Sequence, residues 1–547
     1  MGIPSYFSYI VRQHRAIIKQ INTTNSPNIN NLYLDCNSFI YEAFYNLAAT
    51  ANKSVALESD IIKQVGNSLI KVIQMLKPNK RVFIAFDGVA PLAKLNQQRN
   101  RRYMSAFQSS MNKSTEPAAA WNTSAITPGT AFMHELGLSI RKQFSKPQDF
   151  SLETIIVSPA DEVGEGEHKI YEYIRREAEY HRDTCTVIYG LDADLIMLTL
   201  NHLHISENMY LFRETPEFIK SVDKTLNPHQ TYLLDIPLFA RTIIRELDPN
   251  ILSTEIESIS LKNDALFDYI LLCFFLGNDF LPHFPALNIR NNGINKLIDA
   301  YKTVFIKTTM TKDRQIVWKN VRQFIDYLAA NELGFIKDEY IHRDKIGRRA
   351  MYDIKEKNTN ANANANSNAN ANANDVDENL LLPLKDRSIE IYINPNEIGW
   401  EKRYYNALFN IRINDERRQE ISVNYLEGLE WTMKYYSTGC VDWRWMYNYY
   451  YPPLLTDLIK HVPYFDRTFV LEKPKKPVSA LVQLSYVLPP SSMNLLPPTL
   501  QTKLVKAQPD WYTGNYVFLW AFCKFFWEAH VELPHIDIPT LEKIVEG

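Results

Sequence analysis

Short apolar runs separated by helical patterns organise the first third of the chain. The runs at residues 31–35, 81–87, 154–157 and 186–189 are rich in Val, Ile, Leu, Tyr and Phe, as buried β-strands are. Helical patterns lie between them, for example through Phe39, Ile40 and Phe44. This alternation predicts an α/β fold with a mainly parallel sheet flanked by helices.

Carboxylates follow the predicted strands. Asp35 and Asp87 end the first two runs, and Asp192 and Asp194 follow the fourth. In open α/β sheets, functional sites lie at the carboxyl ends of the strands. If the fourth run continues as a strand, Asp192 and Asp194 point to one face, which suits a divalent metal ion. Four acids at successive strand ends therefore predict a site.

Two glutamates add to this group. Glu165 and Glu167 alternate with glycines and precede a helical segment at 169–177, so the backbone can bend and bring both side chains onto an ion. A pair of acids is more often solvated at the surface, and that alternative stays open. Residues 195–198 are apolar, however, and indicate a buried setting in which the acids need cations.

A basic run occupies residues 94–102, with four cations and no acid. On a helix, Lys94, Gln98, Arg101 and Arg102 share a face. Such a face can form a phosphate pocket, because arginine binds phosphate through two parallel hydrogen bonds. A solvated helix face is the alternative.

An apolar helix is predicted from Asp268 to Gly277, with Asp279 just beyond its end. An acid there opposes the helix dipole, and a bound cation would offset that cost. Asp268 is a second candidate, with capping or structural pairing as its alternative role.

An Asn/Ala repeat at residues 358–374 has no apolar periodicity and predicts a disordered linker. The expected organisation is a first domain at 1–305, a helical connector at 306–355, the linker at 356–380 and a mostly helical second region at 381–547 that packs against the first. The second region is rich in Tyr and Trp and ends in a Pro-rich segment, predicted to be an irregular element packed across the other domain. Its aromatics are expected to form core, although one exposed ring could stack on a base.

The composition of the chain limits the classes of protein that fit but identifies no reaction. The chain has 547 residues, a formal net charge of −2 and 46% apolar residues, so any nucleic-acid contact must come from local patches. Five isolated cysteines argue against a zinc site or a disulfide framework and favour an intracellular compartment. No signal peptide, lipid anchor or membrane-spanning segment is expected.

Taken together, the motifs resemble those of the Xrn family of 5′→3′ exoribonucleases. The matching segments in the first region are Met1-Gly-Ile-Pro4, Leu34-Asp-Cys-Asn37, Phe86-Asp-Gly-Val-Ala-Pro91 continuing through 94–103, Ile126-Thr-Pro-Gly-Thr130, Gly164-Glu-Gly-Glu-His-Lys-Ile170, Gly190-Leu-Asp-Ala-Asp194, Leu211-Phe-Arg-Glu214 and Leu276-Gly-Asn-Asp-Phe-Leu-Pro-His283. Residues 399–405, 425–429 and the Trp443/Trp445 segment resemble the second conserved region of the family. The order and spacing of these segments, rather than any one of them, make the resemblance specific.

The resemblance implies a nuclease core of the PIN and flap-endonuclease type. The acidic site and metal ligands it implies are Asp35, Asp87, Glu165, Glu167, Asp192, Asp194 and Asp279. Two Mg²⁺ ions, or Mn²⁺ in their place, would be held there. Lys94, Gln98, Arg101 and Arg102 would bind the 5′-monophosphate of the RNA.

Three departures from the family pattern stand out. Tyr41 replaces a histidine that stacks on the 5′ base in many members, and a tyrosine ring can still stack, with Trp443 slightly preferred over Trp445 as its partner. Val163 replaces the usual proline before Gly164. The long C-terminal extension of the cytoplasmic members is expected to be absent, which fits a compact member from a unicellular organism or a large DNA virus.

The leading hypothesis is a processive, Mg²⁺-dependent exoribonuclease that degrades single-stranded RNA with a 5′-monophosphate to nucleoside monophosphates. It would act in RNA decay or processing, inside the cell, in cytoplasm or nucleus, or in host cytoplasm if viral. The alternatives are a structure-specific DNA flap endonuclease on the same core and a catalytically dead RNA-binding scaffold. The absence of a Gly-rich helix-hairpin-helix motif after Asp279 weighs against the first, and the full set of acids against the second.

Overall fold

The computed structural model describes most of the chain. The described residues are 2–3, 5–21, 27–50, 58–111, 121–213, 224, 226–227, 230–248, 260–261, 263–305, 308–363, 381–410, 413–473, 476–514 and 516–547, with only the backbone described at 49–50, 110–111 and 353–363. Met1 and Pro4 of the opening motif, Glu214 and most of the predicted linker, 364–380, lie outside them.

A seven-stranded sheet is the centre of the first region. Its strands are β1 Ile18–Gln20, β2 Asn31–Asp35, β3 Arg81–Ala85, β4 Thr154–Ser158, β5 Thr186–Tyr189, β6 Met209–Phe212 and β7 Tyr232–Asp235. They are ordered β1-β7-β6-β5-β2-β3-β4. The five strands from β6 to β4 are parallel, and β7 and β1 pair antiparallel at one edge. The predicted α/β fold with a mainly parallel sheet is thereby confirmed.

Both faces of the central strands β2, β3 and β5 are buried, as their continuous apolar runs predict. Alternation along β2 divides the core, since Leu32 and Leu34 belong to one apolar cluster and Tyr33 to another. The helices of this region are α1 Tyr6–Gln13, α2 Asn37–Thr50, α3 Glu58–Leu76, α4 Leu92–Met111, α5 Ala131–Gln143, α6 Gly166–Arg176, α7 Ala178–Arg182, α8 Asp194–His202, α9 Ile236–Leu247, α10 Asp264–Phe274 and α11 Gly293–Val304.

The rest of the described chain is mostly helical, as predicted. Its helices are α12 Trp318–Ala363, α13 Leu382–Lys385, α14 Ser388–Ile393, α15 Trp400–Phe409, α16 Asp415–Ser437, α17 Leu455–Leu458, α18 Ala480–Val487, α19 Pro498–Ala507 and α20 Ile538–Glu546. Two small hairpins complete it, β8 Thr311–Lys312 with β9 Gln315–Ile316, and β10 Val517–Leu519 with β11 His530–Glu532.

Several predicted boundaries are corrected. The fourth strand ends at Tyr189, so Asp192 lies in a turn and Asp194 begins α8 rather than sharing a strand face with it. Helix α6 begins at Gly166, which places Glu167 inside the helix and Glu165 at its N-cap. Helix α10 ends at Phe274, three residues before the predicted stop at Gly277.

Two further boundaries differ outside the sheet. Helix α12 runs through the predicted connector to Ala363, eight residues into the predicted linker, because Glu356, Lys357 and the first alanines of the repeat favour a helical backbone. The Pro-rich C-terminal segment is not irregular but contains α18, α19, α20 and the β10–β11 hairpin. It does pack across the first region, where Gln483 of α18 accepts a hydrogen bond from the amide of Ala90 at 3.1 Å.

Two expectations about the whole chain can be compared with the structure. All five cysteines are free thiols. Among the described residues, no helix combines the length and the apolar character needed to cross a bilayer.

Candidate functional site

The predicted aspartates lie where the order of the strands reverses. From β2 the chain proceeds outward to β3 and β4, then returns to place β5 on the other side of β2. Ligands bind in open α/β sheets at such a switch point, beyond the carboxyl ends of the strands. Asp35 is the last residue of β2, Asp87 lies two residues after β3, and Asp192 lies three residues after β5.

Asp87 is held by two neighbouring elements. Its Oδ2 accepts a hydrogen bond from Nδ2 of Asn37 at 2.6 Å, and its amide donates to Oδ1 of Asn37 at 3.1 Å. Its Oδ1 accepts from the amide of Gly166, at the start of α6, at 2.7 Å. The first turn of a helix favours negative charge. Asp87 is therefore fixed between the ends of β2, β3 and α6.

Glycine at position 166 allows α6 to approach Asp35. A Cβ atom there would lie 2.6 Å from Oδ1 of Asp35, so a larger residue would displace this carboxylate or the helix. Gly164, just before the N-cap, has φ of 103°, a backbone conformation that glycine adopts without strain. The local sequence thus lets the start of α6, which carries the two glutamates of the motif, approach the end of β2.

Burial shifts the pKa values of several acids in the cluster. Glu165 and Glu167 are both buried. Burial also raises the pKa of Asp35 well above its usual value, and repulsion from Asp87 is the next largest cause. Burial likewise raises the pKa of Glu167, although Lys94 opposes the shift. Acids that are desolvated beside other acids favour protonation unless a cation neutralises them.

Lys94 supplies one such cation from within the protein. It is buried on α4, and its Nζ lies 2.7 Å from Oε1 of Glu165 and 2.7 Å from Oδ2 of Asp279. Burial alone would lower the pKa of Lys94, but attraction to Asp279 and Glu165 raises it overall. The first cation of the basic run therefore belongs to the acidic cluster itself.

Asp279 joins the cluster from beyond α10. Its Oδ1 accepts a hydrogen bond from the amide of Gly2 at 3.1 Å. Burial would raise its pKa, yet Lys94 holds the pKa of Asp279 well below its usual range. Burial, followed by repulsion from Asp279, raises the pKa of Asp194 to about 7. Asp194 is buried at the start of α8, and Asp192 is exposed in the turn before it.

The chemistry of this cluster fits a divalent cation. One ligand atom from each of Glu165, Glu167 and His168 lies within 4.8 Å of the others. Oε2 of Glu167 and both ring nitrogens of His168 are buried, and none of them has a hydrogen-bond partner among the described residues. Buried polar atoms without partners are rare and point to a missing ion, water or ligand. Carboxylate oxygens are the ligands that Mg²⁺ and Mn²⁺ prefer.

The second region also contacts the cluster, through residues that the sequence did not single out. The hydroxyl of Tyr435, on α16, donates to Oε2 of Glu165 at 2.8 Å. Its ring stacks on His168 at 3.7 Å between centroids and on Trp431 at 4.8 Å. The position of His168 directly after Glu167 was a usable signal, whereas Tyr435 lies 270 residues from its partner and gave none.

The remaining members of the basic face lie farther along α4. Arg101 is exposed, while Gln98 and Arg102 are half-buried. Nη2 of Arg102 donates to the carbonyl of Ile126 at 3.1 Å, and burial lowers its pKa to about 10. Oε1 of Gln98 and Nε of Arg102 are buried without a hydrogen-bond partner among the described residues.

The candidate stacking residues differ in exposure. Trp445 is buried and stacks on Trp431 at 5.1 Å between centroids, so it belongs to the core. Trp443 is half-buried, and its carbonyl accepts a hydrogen bond from the amide of Leu92 at the start of α4. Tyr41, on α2, is half-buried too.

Asp268 has the structural role that the sequence left as an alternative. It is fully buried and accepts hydrogen bonds from the Tyr301 hydroxyl, the Met310 amide, and the amide and hydroxyl of Thr311. Its two oxygens are thus occupied by the protein, and it lies outside the cluster.

Two family models match the chain across both regions. The model for the XRN 5′-3′ exonuclease N-terminus matches residues 1–215, and the model for the Xrn1 helical domain matches residues 262–391 and 385–546. The chain belongs to the Xrn family. The resemblance inferred from the motifs is thereby confirmed.

Named relatives in this family are similar over nearly the whole chain. The 5′-3′ exoribonuclease 1 of Saccharomyces cerevisiae is 27% identical over 98% of this chain and 42% of its own length. The 5′-3′ exoribonuclease 2 of Gallus gallus is 27% identical over 100% of this chain and 70% of its own length. The human 5′-3′ exoribonuclease 1 is 27% identical over 100% of this chain, which spans 34% of that Xrn protein.

Proposed function

We propose that this Xrn-family protein is a 5′→3′ exoribonuclease that degrades 5′-monophosphorylated single-stranded RNA processively to nucleoside monophosphates. The observation that carries the proposal is the position of Lys94. It belongs to the basic helix α4 and contacts Glu165 and Asp279 at 2.7 Å, so the basic helix and the acidic cluster form one site. A nuclease of this type needs a phosphate-binding group beside its metal ligands.

The acids would hold the metal. Asp35, Asp87, Glu165, Glu167, Asp192, Asp194 and Asp279 are the proposed ligands of two Mg²⁺ ions, or of Mn²⁺ in their place. The ions would supply a water nucleophile at neutral pH and charge stabilisation for an in-line displacement at phosphorus. Lys94 balances the charge of Glu165 and Asp279, and the hydrogen bonds of Asn37 and Tyr435 orient Asp87 and Glu165.

The basic face would select the 5′ end. The buried Gln98 Oε1 and Arg102 Nε atoms without partners support a polar ligand beside α4, and exposed Arg101 is available for a phosphate. Together with Lys94, these side chains would form a small pocket for the 5′-monophosphate that would sterically exclude a cap or triphosphate. Half-buried Tyr41 and Trp443 would stack on the terminal base.

The order of the strands and the acids at the switch point support a nuclease core of the PIN and flap-endonuclease type. Because the substrate of this core is single-stranded RNA in the proposal, we assign its action to RNA decay or processing inside the cell. A DNA flap endonuclease and a catalytically dead scaffold are the alternatives that the experiment must separate.

The test compares one RNA sequence carrying a 5′-monophosphate, a 5′-triphosphate or a 5′-hydroxyl, together with a labelled DNA flap, at fixed Mg²⁺. The proposal expects mononucleotides from the monophosphorylated RNA only. The matched variants are Arg101→Ala, which should lose the preference for the monophosphate, and Arg417→Ala, an exposed arginine on α16 that should keep it. Equal rates on all three RNAs would exclude the phosphate pocket, and cleavage of the flap alone would favour the DNA enzyme.

A further inference from the structure

Trp443, one of the proposed stacking residues, lies in an irregular segment. Residues 438–454, all of which the structure describes, form no helix or strand between α16 and α17. A regular hydrogen-bond pattern therefore does not fix the backbone that carries the Trp443 ring. Ordering a side chain when a ligand binds costs affinity, so a stacking residue in such a segment gains from contacts that hold it in place beforehand.

The backbone next to Trp443 is held from α16. Nε1 of Trp431 donates a hydrogen bond to the carbonyl oxygen of Asp442 at 2.9 Å. Trp431 is fully buried, and its ring stacks on Trp445 and on Tyr435. Because the ring is enclosed in a close-packed core, its N–H group stays directed at this carbonyl.

The side chain of Asp442 adds two contacts. Its Oδ1 accepts a hydrogen bond from the amide of Arg444 at 2.9 Å, which closes a tight turn around Trp443. Its Oδ2 lies 2.7 Å from Nζ of Lys473, an exposed lysine whose amide donates to the carbonyl of Val441 at 2.9 Å. The Asp442 carboxylate is buried, so it needs both partners to offset the loss of water.

The carbonyl of Trp443 is bound to the basic helix. It accepts a hydrogen bond from the amide of Leu92, the first residue of α4, at 3.0 Å. This bond sets the position of Trp443 relative to the helix that carries the proposed phosphate-binding residues. The base and the phosphate of a 5′ nucleotide are covalently linked, so a stacking ring and a phosphate pocket must keep one spacing to be occupied together.

We propose that Trp431 and Lys473 are positioning residues that act through Asp442 to hold Trp443 in the orientation that stacks on the 5′ base. Trp431 contributes its N–H group, and Lys473 contributes its charge. The inference rests on the proposed function in one respect, because that function assigns Trp443 to the terminal base. It adds two residues that belong to none of the proposed metal-binding, phosphate-binding and stacking sets.

The test uses monophosphorylated RNA that starts either with adenosine or with an abasic nucleotide. Trp431→Phe keeps a ring in the core and removes the N–H donor. Lys473→Met removes the charge of an exposed residue, so it tests the proposal even if Trp431→Phe does not fold. Each is made in the native chain and in Trp443→Ala. Trp520→Phe is the control, because it removes an indole N–H bond to the carbonyl of Asp386, at 3.0 Å, elsewhere in the second region.

KM and kcat are measured for both RNAs over a range of Mg²⁺ concentrations. Trp431→Phe should raise KM for the adenosine RNA about three-fold, as expected for a ring that is ordered only on binding, and Lys473→Met about two-fold. Neither should change kcat, KM for the abasic RNA or the Mg²⁺ dependence, and Trp520→Phe should change nothing. In Trp443→Ala, neither substitution should raise KM further, because effects that pass through one residue are not additive.

A merely structural role predicts a different pattern. It would raise KM equally for the adenosine and the abasic RNA, and the increase would persist in Trp443→Ala. Either result would overturn the proposal, as would an unchanged KM in both positioning variants. A higher Mg²⁺ requirement in Trp431→Phe would also overturn it, because the ring would then act through Tyr435 and Glu165.

RNA affinity, measured for the same substitutions in Asp192→Ala, separates this inference from the proposed function. A chain that degrades monophosphorylated RNA with the same KM in Trp431→Phe and Lys473→Met as in the native protein refutes the inference alone. A chain that degrades no RNA, but whose affinity for the adenosine RNA alone falls in Trp431→Phe, refutes the proposed function and leaves Trp431 as a positioning residue for RNA binding.

Discussion

The two regions of the molecule contribute to the same cluster in different ways. The sheet region supplies every proposed metal ligand, each at or just beyond a strand or helix end, as Asp35 at the end of β2 shows. The helical region supplies no acid of the proposed set, yet Tyr435 reaches Glu165 from α16. The sheet region provides the carboxylates, and the helical region helps to orient one of them, Glu165.

The sheet region alone does not hold the proposed metal ligands in place, because a side chain of the helical region also contacts one of them. Glu165 has one partner from each region, Lys94 at 2.7 Å and Tyr435 at 2.8 Å. Oxygen atoms that bind metals are tuned by such outer contacts. We therefore expect changes in either region to alter metal binding, but by different amounts.

The largest effect is expected for Lys94→Met. It removes the cation between Glu165 and Asp279 and leaves both acids buried without it. Breaking a buried ion pair by removing one partner costs about 3–5 kcal/mol, and kcat/KM for monophosphorylated RNA should fall at least about 100-fold. Thermal unfolding and steady-state rates measure both. Lys460→Met, which breaks an ion pair of a mostly exposed lysine, should change neither by much.

A smaller effect is expected for Tyr435→Phe. The ring keeps its stacking on His168 and Trp431, but Glu165 loses its hydrogen bond. Loss of an outer contact lowers metal affinity by about 10–100-fold, so the Mg²⁺ concentration at half-maximal rate should rise while the affinity for RNA stays the same. Tyr404→Phe is the control, because that buried hydroxyl bonds the carbonyl of Pro452 away from the cluster. Equal Mg²⁺ dependence in both variants would show that the helical region acts only through folding.

Trp443→Ala and Trp445→Ala should separate substrate binding from core packing. Trp443 is half-buried, so its loss should raise KM for RNA about five-fold. This corresponds to the lower end of the free-energy range for stacking one base on an aromatic ring. Trp445 is buried against Trp431, and its loss should cost about 3–5 kcal/mol of folding free energy. The reverse pattern, with Trp445 affecting KM alone, would assign the stacking role to Trp445.

The last expected effect is a dependence of metal-free stability on pH. The pKa of Asp194 is raised to about 7 in the folded chain, against about 3.9 when unfolded. The folded state then binds the proton more tightly, so stability is highest below pH 4 for this group and falls as pH rises toward 7. Mg²⁺ should oppose that loss. Melting temperatures in EDTA and in Mg²⁺ should therefore diverge as pH rises from 5 to 7.5, and parallel curves would contradict this.

The pattern of apolar runs predicts the sheet and the position of the acids because strand ends are local features. The apolar runs that end in Asp35 and Asp87 predict where these two acids lie. The spacing of the basic residues predicts the helix that carries them. The prediction that Asp192 and Asp194 lie on one strand face was wrong, because the strand ends at Tyr189 and a helix begins at Asp194. Turns of a few residues depend on tertiary contacts that a periodic pattern does not contain.

The contacts between regions could not be predicted for a related reason. Tyr435 is one of several buried aromatics of α16, and only packing decides which ring meets Glu165. The same holds for Asp268 and Asp279, two acids near one helix, of which the first is satisfied by Tyr301, Met310 and Thr311. Nothing in their local sequence separates a structural carboxylate from a candidate ligand.

The proposed metal site is tested most directly by single-turnover hydrolysis of 5′-monophosphorylated RNA by Asp192→Ala, with RNA affinity measured on the same preparation. Asp192 is exposed, so the substitution should leave the fold intact. RNA binding should be unchanged and the rate of hydrolysis at least about 100-fold lower, because a proposed metal ligand is removed. Hydrolysis at the normal rate would contradict the assignment of this cluster as the catalytic metal site.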